Sequence, residues 1–419
     1  MNKTDELKRN LLYNTIGNGI YFVCQWLITG FFIKRMSGDG GLVNSGLLAT
    51  AAAAVNIFLP LANYGMRTFQ VSDTAGKYSN GDYLLSRVIS TAAAIVLCFA
   101  YSIIVGYDSE QTTCIMIYML YKSLEAATDV LHGAAQKFGR MDVVGISYTV
   151  RGIAGAAVFA AALYTTQNVN SALLSMTVAS WLFCALYDLR VTRPYWQPAH
   201  LSSRSAVWRL LLECLPLAIN VVLNTTISSV PKLMLERIEG KVAIGIFNLV
   251  NSPVLVLQVG VSYMFAPFIG IFAQKLKDGD YRGMKKLAAG ITLGIFVLGI
   301  AATIGVISPL GRWGLNFLYH DDTVTAQSGL LVPMVWCTVM TSVMLFYCTL
   351  LTVMRRVKAL LVSNAIALLV SLVASSPLIH ALGMQGASIA TIAAMCAACA
   401  VQLMSAYTGL RLSNEKKPQ

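Results

Sequence analysis

The 419 residues are 56% hydrophobic and only 12% charged, about half the charged fraction of a soluble domain. Apolar stretches recur from one end of the chain to the other, so they do not form a single water-excluding core; the bilayer is the solvent that suits them. The net charge of +12 would suit a nucleic-acid partner if it were clustered, but the basic residues sit in short connections between apolar segments, where they act as topology signals.

Windows of about 20 apolar residues predict twelve membrane-spanning helices. In the first half they run 11–33, 42–66, 88–106, 112–136, 143–163 and 171–189. In the second they run 210–235, 242–273, 287–309, 329–353, 358–380 and 386–408. The first carries Asn14, Asn18 and Gln25 and is too long for the apolar stretch of a cleavable signal, so it is read as a retained span. Alternate connections are basic, from Lys3, Lys8 and Arg9 through Arg67, Lys77 and Arg87 to Arg411, Lys416 and Lys417, while the intervening ones are poor in Lys and Arg. The positive-inside rule then expects both termini in the cytoplasm of a bacterial-type inner membrane. The connection 308–328, with Trp313, Phe317 and Tyr319, reads as an interfacial segment.

The halves repeat. Ala75, Lys77, Gly81, Asp82 and Tyr83 return 198 positions later as Ala273, Lys275, Gly279, Asp280 and Tyr281. Gly41, Val43, Gly46, Tyr64 and Phe69 return at a spacing of 199 as Gly240, Val242, Gly245, Tyr263 and Phe268. Six spans per half give both halves one orientation, a parallel repeat. The expected architecture is all-α and polytopic, with six-helix lobes at 1–200 and 201–419, a pathway between them, and rocking of one against the other.

Charges inside a bilayer cost several kcal/mol and mark function by default. The fourth predicted span carries Lys122, Glu125, Asp129 and His132, which fall within an arc of about 80° on a helix. Arg151 in the fifth lies at nearly the same depth and within expected reach of Glu125 or Asp129. This set is either an ion-pair cluster that fixes packing or the wall of a wet cavity that contacts substrate or relays protons. His132, nearer the helix end, is expected to be solvated. Lys34, Arg35 and Lys232 lie near span ends, where cations snorkel, although Lys34 and Lys232 are 198 apart and both can face a groove between halves. Arg67 closes the second span, where it can hold a phosphate or mark topology. Asn14 with Asn18 and Asn220 with Asn224 give the first span of each half a polar face, suited either to helix–helix hydrogen bonds or to a polar cavity.

No GxSxG, HExxH or phosphate-cradling glycine loop occurs, and the nine cysteines all fall within apolar segments and form no Cys/His cluster, Cys396 and Cys399 standing one helical turn apart as ordinary packing. The expectation is a protein that is not an enzyme, without metal or cofactor, whose energy source is an H+ or Na+ gradient rather than ATP.

Four stretches carry a family resemblance: Lys8-Arg-Asn-Leu-Leu-Tyr-Asn14 before the first span, Tyr64-Gly-Met-Arg67 after the second, Gly133-Ala-Ala-Gln-Lys-Phe-Gly-Arg-Met-Asp142 with Arg151-Gly152, and Phe265-Ala-Pro-Phe268 with Lys275 to Tyr281. With twelve spans in two halves, the chain resembles the multidrug/oligosaccharidyl-lipid/polysaccharide exporter superfamily, and within it the oligosaccharide flippases of O-antigen, capsule and exopolysaccharide export. The resemblance implies a V-shaped pair of lobes around a cationic cavity that accepts an undecaprenyl-diphosphate-linked oligosaccharide. It implies substrate contacts from Arg67, Arg151, Lys34, Arg35 and Lys232, and pathway partners in a polysaccharide polymerase and glycosyltransferases. Asn18, Asn220 and Asn224 join these as candidate cavity residues on the polar faces above. Two rivals remain: a cation-coupled multidrug exporter of the same fold, with Glu125 and Asp129 as coupling carboxylates, and a membrane-embedded polymerase or acyltransferase. The short outer connections, with no loop to hold sugars, weigh against the second.

Overall fold

The computed structural model describes residues 3–73, 76–196, 203–265 and 268–415, and among them it contains helices and turns but no strand. Ala75, Ala266, Pro267, Lys416 and Lys417 lie outside the described residues. The spans of the first half are α1 (Leu12–Arg35), α2 (Gly41–Asn63), α3 (Asn80–Val105), α4 (Ser109–Lys137), α5 (Met141–Thr166) and α6 (Val169–Tyr195). Those of the second are α7 (Arg204–Glu239), α8 (Lys241–Phe265), α9 (Tyr281–Ile307), α10 (Asp322–Val353), α11 (Val357–Leu382) and α12 (Met384–Thr408). Eleven of these are long and apolar enough to cross a membrane. The twelfth, α4, is set apart by Lys122, Glu125 and Asp129, yet its 29 residues extend ~43 Å, ample for a hydrocarbon layer of ~30 Å.

Local sequence explains the ends. Ser79 and Asp82 form a reciprocal capping box at the start of α3, and Asp280 at the repeated position caps α9 by accepting from the Gly283 N–H at 2.8 Å. The cap starts α3 at Asn80, earlier than the predicted 88, because hydropathy averaging passes over the polar first turns; Arg87 is therefore a helix residue and not a loop residue. Tyr64 and Gly65 both take left-handed backbone conformations (φ 51° and 65°), which ends α2 and turns the chain into the short helix Met66–Ser72. The predicted eighth span likewise divides into α8 and a separate helix, Phe268–Asp278. Between α9 and α10, helix Pro309–Tyr319 exposes Trp313 stacked on Phe317 and buries Leu315 and Tyr319, the two-faced pattern of an interfacial segment.

The chain forms two compact units, Met1–Val222 and Leu223–Gln419, with the division inside α7. In the first unit, α1 runs against α5, and α2 lies against α3 and α4. The α1–α5 crossing is made at Gly17 and Gly145, where a methyl on either glycine would collide with the other helix's backbone. In the second unit, α10 packs on α8, α9 and α12, and α12 on α11.

Candidate functional site

The polar stripe of α4 is met by side chains from five other elements of the first unit. Asp129 is held from two sides: Arg87 of α3 donates to its Oδ2 at 2.9 Å and Arg67 of the short helix to its Oδ1 at 3.2 Å. Arg67 is aimed there by the Tyr64–Gly65 turn, and its Nε also donates to Gln136 at 3.1 Å. Arg87 is 2% exposed and additionally donates to the Ala62 carbonyl at 2.8 Å and to that of Asn63. These are among the last carbonyls of α2, which have no partner within their own helix. A cation at this end is also favoured by the helix dipole.

One turn earlier on α4, Glu125 accepts from Lys122 at 2.7 Å and from the Tyr21 hydroxyl of α1. Tyr21 and Tyr121 share a hydroxyl contact of 2.9 Å, and Gln25 donates to Tyr121 at 2.8 Å. The Lys122 ammonium lies over the Tyr118 and Tyr121 rings, at 5.7 and 5.4 Å.

Arg151 pairs with neither acid directly. Its guanidinium lies over the rings of Tyr21 and Tyr148, at 5.4 and 5.2 Å, and donates to Thr128 at 2.9 Å. Stacking on two aromatic faces satisfies a desolvated guanidinium in a way an ammonium does not. Arg151 is 2% exposed, so it acts on Tyr21, Tyr148 and Thr128 rather than on an open cavity. His132 departs from expectation as well. It is fully buried, its Nε2 is 3.4 Å from Asp188 Oδ1 of α6, and its ring meets Tyr148 edge-on; the facing acid on α6 takes it out of solvent.

The structure thus gathers Arg67, Lys122, Glu125, Asp129 and Arg151 into one network. Arg67, Lys122, Glu125 and Asp129 keep between 12% and 26% of their side-chain surface. It does not bring Lys34 and Arg35 there: they lie 13 and 14 residues beyond Tyr21, ~20 Å along the helix, with Arg35 exposed over Phe31. Asn18 bonds back to Asn14 within α1, at 2.7 Å to its carbonyl. Asn220 is buried and Asn224 half-buried on α7. Lys232 does not snorkel to a helix end; it lines a cavity of about 130 Å³ inside the second unit with Ser228, Asn251, Gln258, Thr338 and Thr391. Sequence reasoning missed Tyr21, Arg87 and Asp188 as members of the network. An acid inside a predicted span is itself the signal for Asp188, and Arg87 is matched by Lys285 at the repeat spacing of 198.

The charged network is thus buried among helices of membrane-spanning length in the first unit. The chain belongs to the polysaccharide biosynthesis protein family, whose model matches residues 9–274. It is 24% identical over 293 residues to the capsular polysaccharide biosynthesis protein CapF of Staphylococcus aureus, covering 69% of this chain and 72% of CapF. Among solved structures, the lipid II flippase MurJ in an inward closed conformation aligns with a TM-score of 0.71 at 10% identity, over 97% of this chain and 90% of MurJ. An inward-facing multidrug resistance MATE transporter aligns with a TM-score of 0.69 at 12% identity, over 97% of this chain and 96% of its own. At these identities the structures establish the fold.

Proposed function

We propose that the protein translocates undecaprenyl-diphosphate-linked oligosaccharide repeat units across the bacterial cytoplasmic membrane, with both termini cytoplasmic, for assembly of a surface polysaccharide. The reading is carried by the network of the first unit, in which Arg67, Arg87, Lys122 and Arg151 face Glu125, Asp129 and Asp188. Cations outnumber anions there by four to three, and Arg67 and Lys122 keep part of their surface exposed, which suits a diphosphate. Lys232 in its polar cavity adds a second cationic position. The kinship with capsule biosynthesis points to a glycan cargo, and a glycan made on a lipid carrier needs a polar route across the hydrocarbon layer. An H+ or Na+ gradient drives the cycle, and the pathway's glycosyltransferases and polymerase act before and after it.

The test is the sidedness of lipid-linked repeat units in a deletion strain. Accumulation on the cytoplasmic leaflet supports flipping; accumulation of flipped, unpolymerised units assigns the chain to polymerisation instead. Altered drug accumulation with normal glycan export would assign it to drug efflux.

A further inference from the structure

Two of the three acids in the first unit's network are held by strong cations. Asp129 lies between Arg87 and Arg67, and Glu125 is bound by Lys122 and Tyr21. A guanidinium does not deprotonate in a protein, and an ammonium paired with a carboxylate keeps its proton at physiological pH, so each of these two acids already faces a permanent countercharge. Asp188 is placed differently. Among the described residues no Lys or Arg lies within ion-pairing distance of it, and its charge partner is His132, at 3.4 Å. Both side chains are fully buried, and each keeps one polar atom, His132 Nδ1 and Asp188 Oδ2, without a hydrogen-bond partner in the protein. Asp188 also ends a π-helical segment, Cys184–Asp188, an irregularity that recurs at functional sites.

We propose that His132 and Asp188 are the proton-binding site of the first unit, taking up and releasing a single proton as a pair. With the proton the pair is imidazolium and carboxylate, net neutral; without it, a neutral imidazole stands beside a carboxylate, net negative. Imidazole is the side chain whose ordinary titration falls at physiological pH. Burial opposes a charged imidazole and the facing carboxylate favours it, so the two side chains act on the proton as one unit. The groups that face the pair are Tyr148 and Arg151 on α5, Arg67 on the short helix after α2, Asp129 one turn back on α4, and Cys184 and Tyr187 on α6. Asp129 is already neutralised by its arginines. Arg151 is committed to its two rings and Thr128, so each proton change alters net charge directly behind the Arg151 stack.

The experiment needs no cargo, so its outcome is independent of the flippase reading. Proton uptake by the purified full chain in detergent is measured between pH 8.5 and 5.5 for wild type, His132→Gln, Asp188→Asn and the double variant. The expectation is that each single variant loses about one proton of uptake relative to wild type and that the double variant loses no more than either single one, the mark of a shared site. A Asp188→Asn protein that retains the full histidine uptake would overturn the proposal. Should the variants fail to elute as monodisperse protein, 15N spectra of a chain with His200, His320 and His380 replaced by Gln read His132 directly. An imidazole that changes protonation over this range supports the site, and one that stays in a single state overturns it.

Discussion

Arg87 and Asp129 pair across α3 and α4 at 2.9 Å, with the arginine side chain 2% exposed. The same guanidinium closes the carboxy-terminal end of α2 through the Ala62 and Asn63 carbonyls. One side chain therefore ties α2, α3 and α4 together, and α4 itself supplies Lys122, Glu125 and Asp129 to the network. Arg87→Met would take this donor from the Asn63 carbonyl, leave the Ala62 carbonyl with Ser90 alone, and leave Asp129 with Arg67 alone. Removing one partner of a buried pair costs ~3–5 kcal/mol, so the unfolding midpoint in detergent should fall sharply, while Arg87→Lys keeps the charge and restores part of it. An unchanged midpoint in Arg87→Met would mean that the pair does not hold the unit together.

Tyr21 links the acid and the arginine that do not touch: its hydroxyl donates to Glu125 and its ring lies under Arg151. Tyr21→Phe removes the first link and keeps the second. Polysaccharide export should drop about tenfold, equivalent to ~1.4 kcal/mol in rate, at unchanged protein abundance in the membrane. Normal export would show that the hydroxyl bridge is packing alone.

Glu125→Ala and Arg151→Ala should each impair export without abolishing membrane insertion. Glu125→Ala also leaves Lys122 as an unpaired cation, so the double variant Lys122→Met/Glu125→Met should be more stable in detergent than Glu125→Ala, since replacing both members of a buried pair costs less than breaking it. Arg151→Lys should behave like Arg151→Ala, because an ammonium does not reproduce a guanidinium stacked between two rings. Wild-type export in both single Ala variants would remove these residues from the mechanism.

Asp73, in the connection between α2 and α3, predicts an acid limb. Burial raises its carboxyl, but the Lys77 and Tyr78 backbone N–H groups, at 2.9 and 3.1 Å, outweigh that and hold it below its ordinary value of 3.8. A depressed carboxyl contributes stability that is complete above the ordinary value and is lost as pH falls through the folded one. Wild type should therefore lose stability in detergent as pH falls below about 4, and Asp73→Asn should show a smaller loss over the same interval. Parallel curves for the two proteins would assign the acid limb to other carboxylates.

What the sequence determined by itself was the solvent and the repeat. Twelve apolar stretches can satisfy their backbone groups in a bilayer only as helices, and the Lys77–Tyr83 block returning at Lys275–Tyr281 identified the duplication without reference to hydropathy. The polar stripe of α4 was legible too, because helical periodicity places Lys122, Glu125, Asp129 and His132 on one face whatever they contact. Only the tertiary structure decided the pairing. Which of Arg67, Arg87 and Arg151 reaches Asp129 depends on the turn at Tyr64–Gly65, the early start of α3 and the close α1–α5 crossing at Gly17 and Gly145, all of which bring together residues far apart in the chain. The same holds for His132, whose position near a helix end suggested water until α6 placed Asp188 against it. Periodicity reports the face a residue occupies, and packing alone supplies what stands opposite.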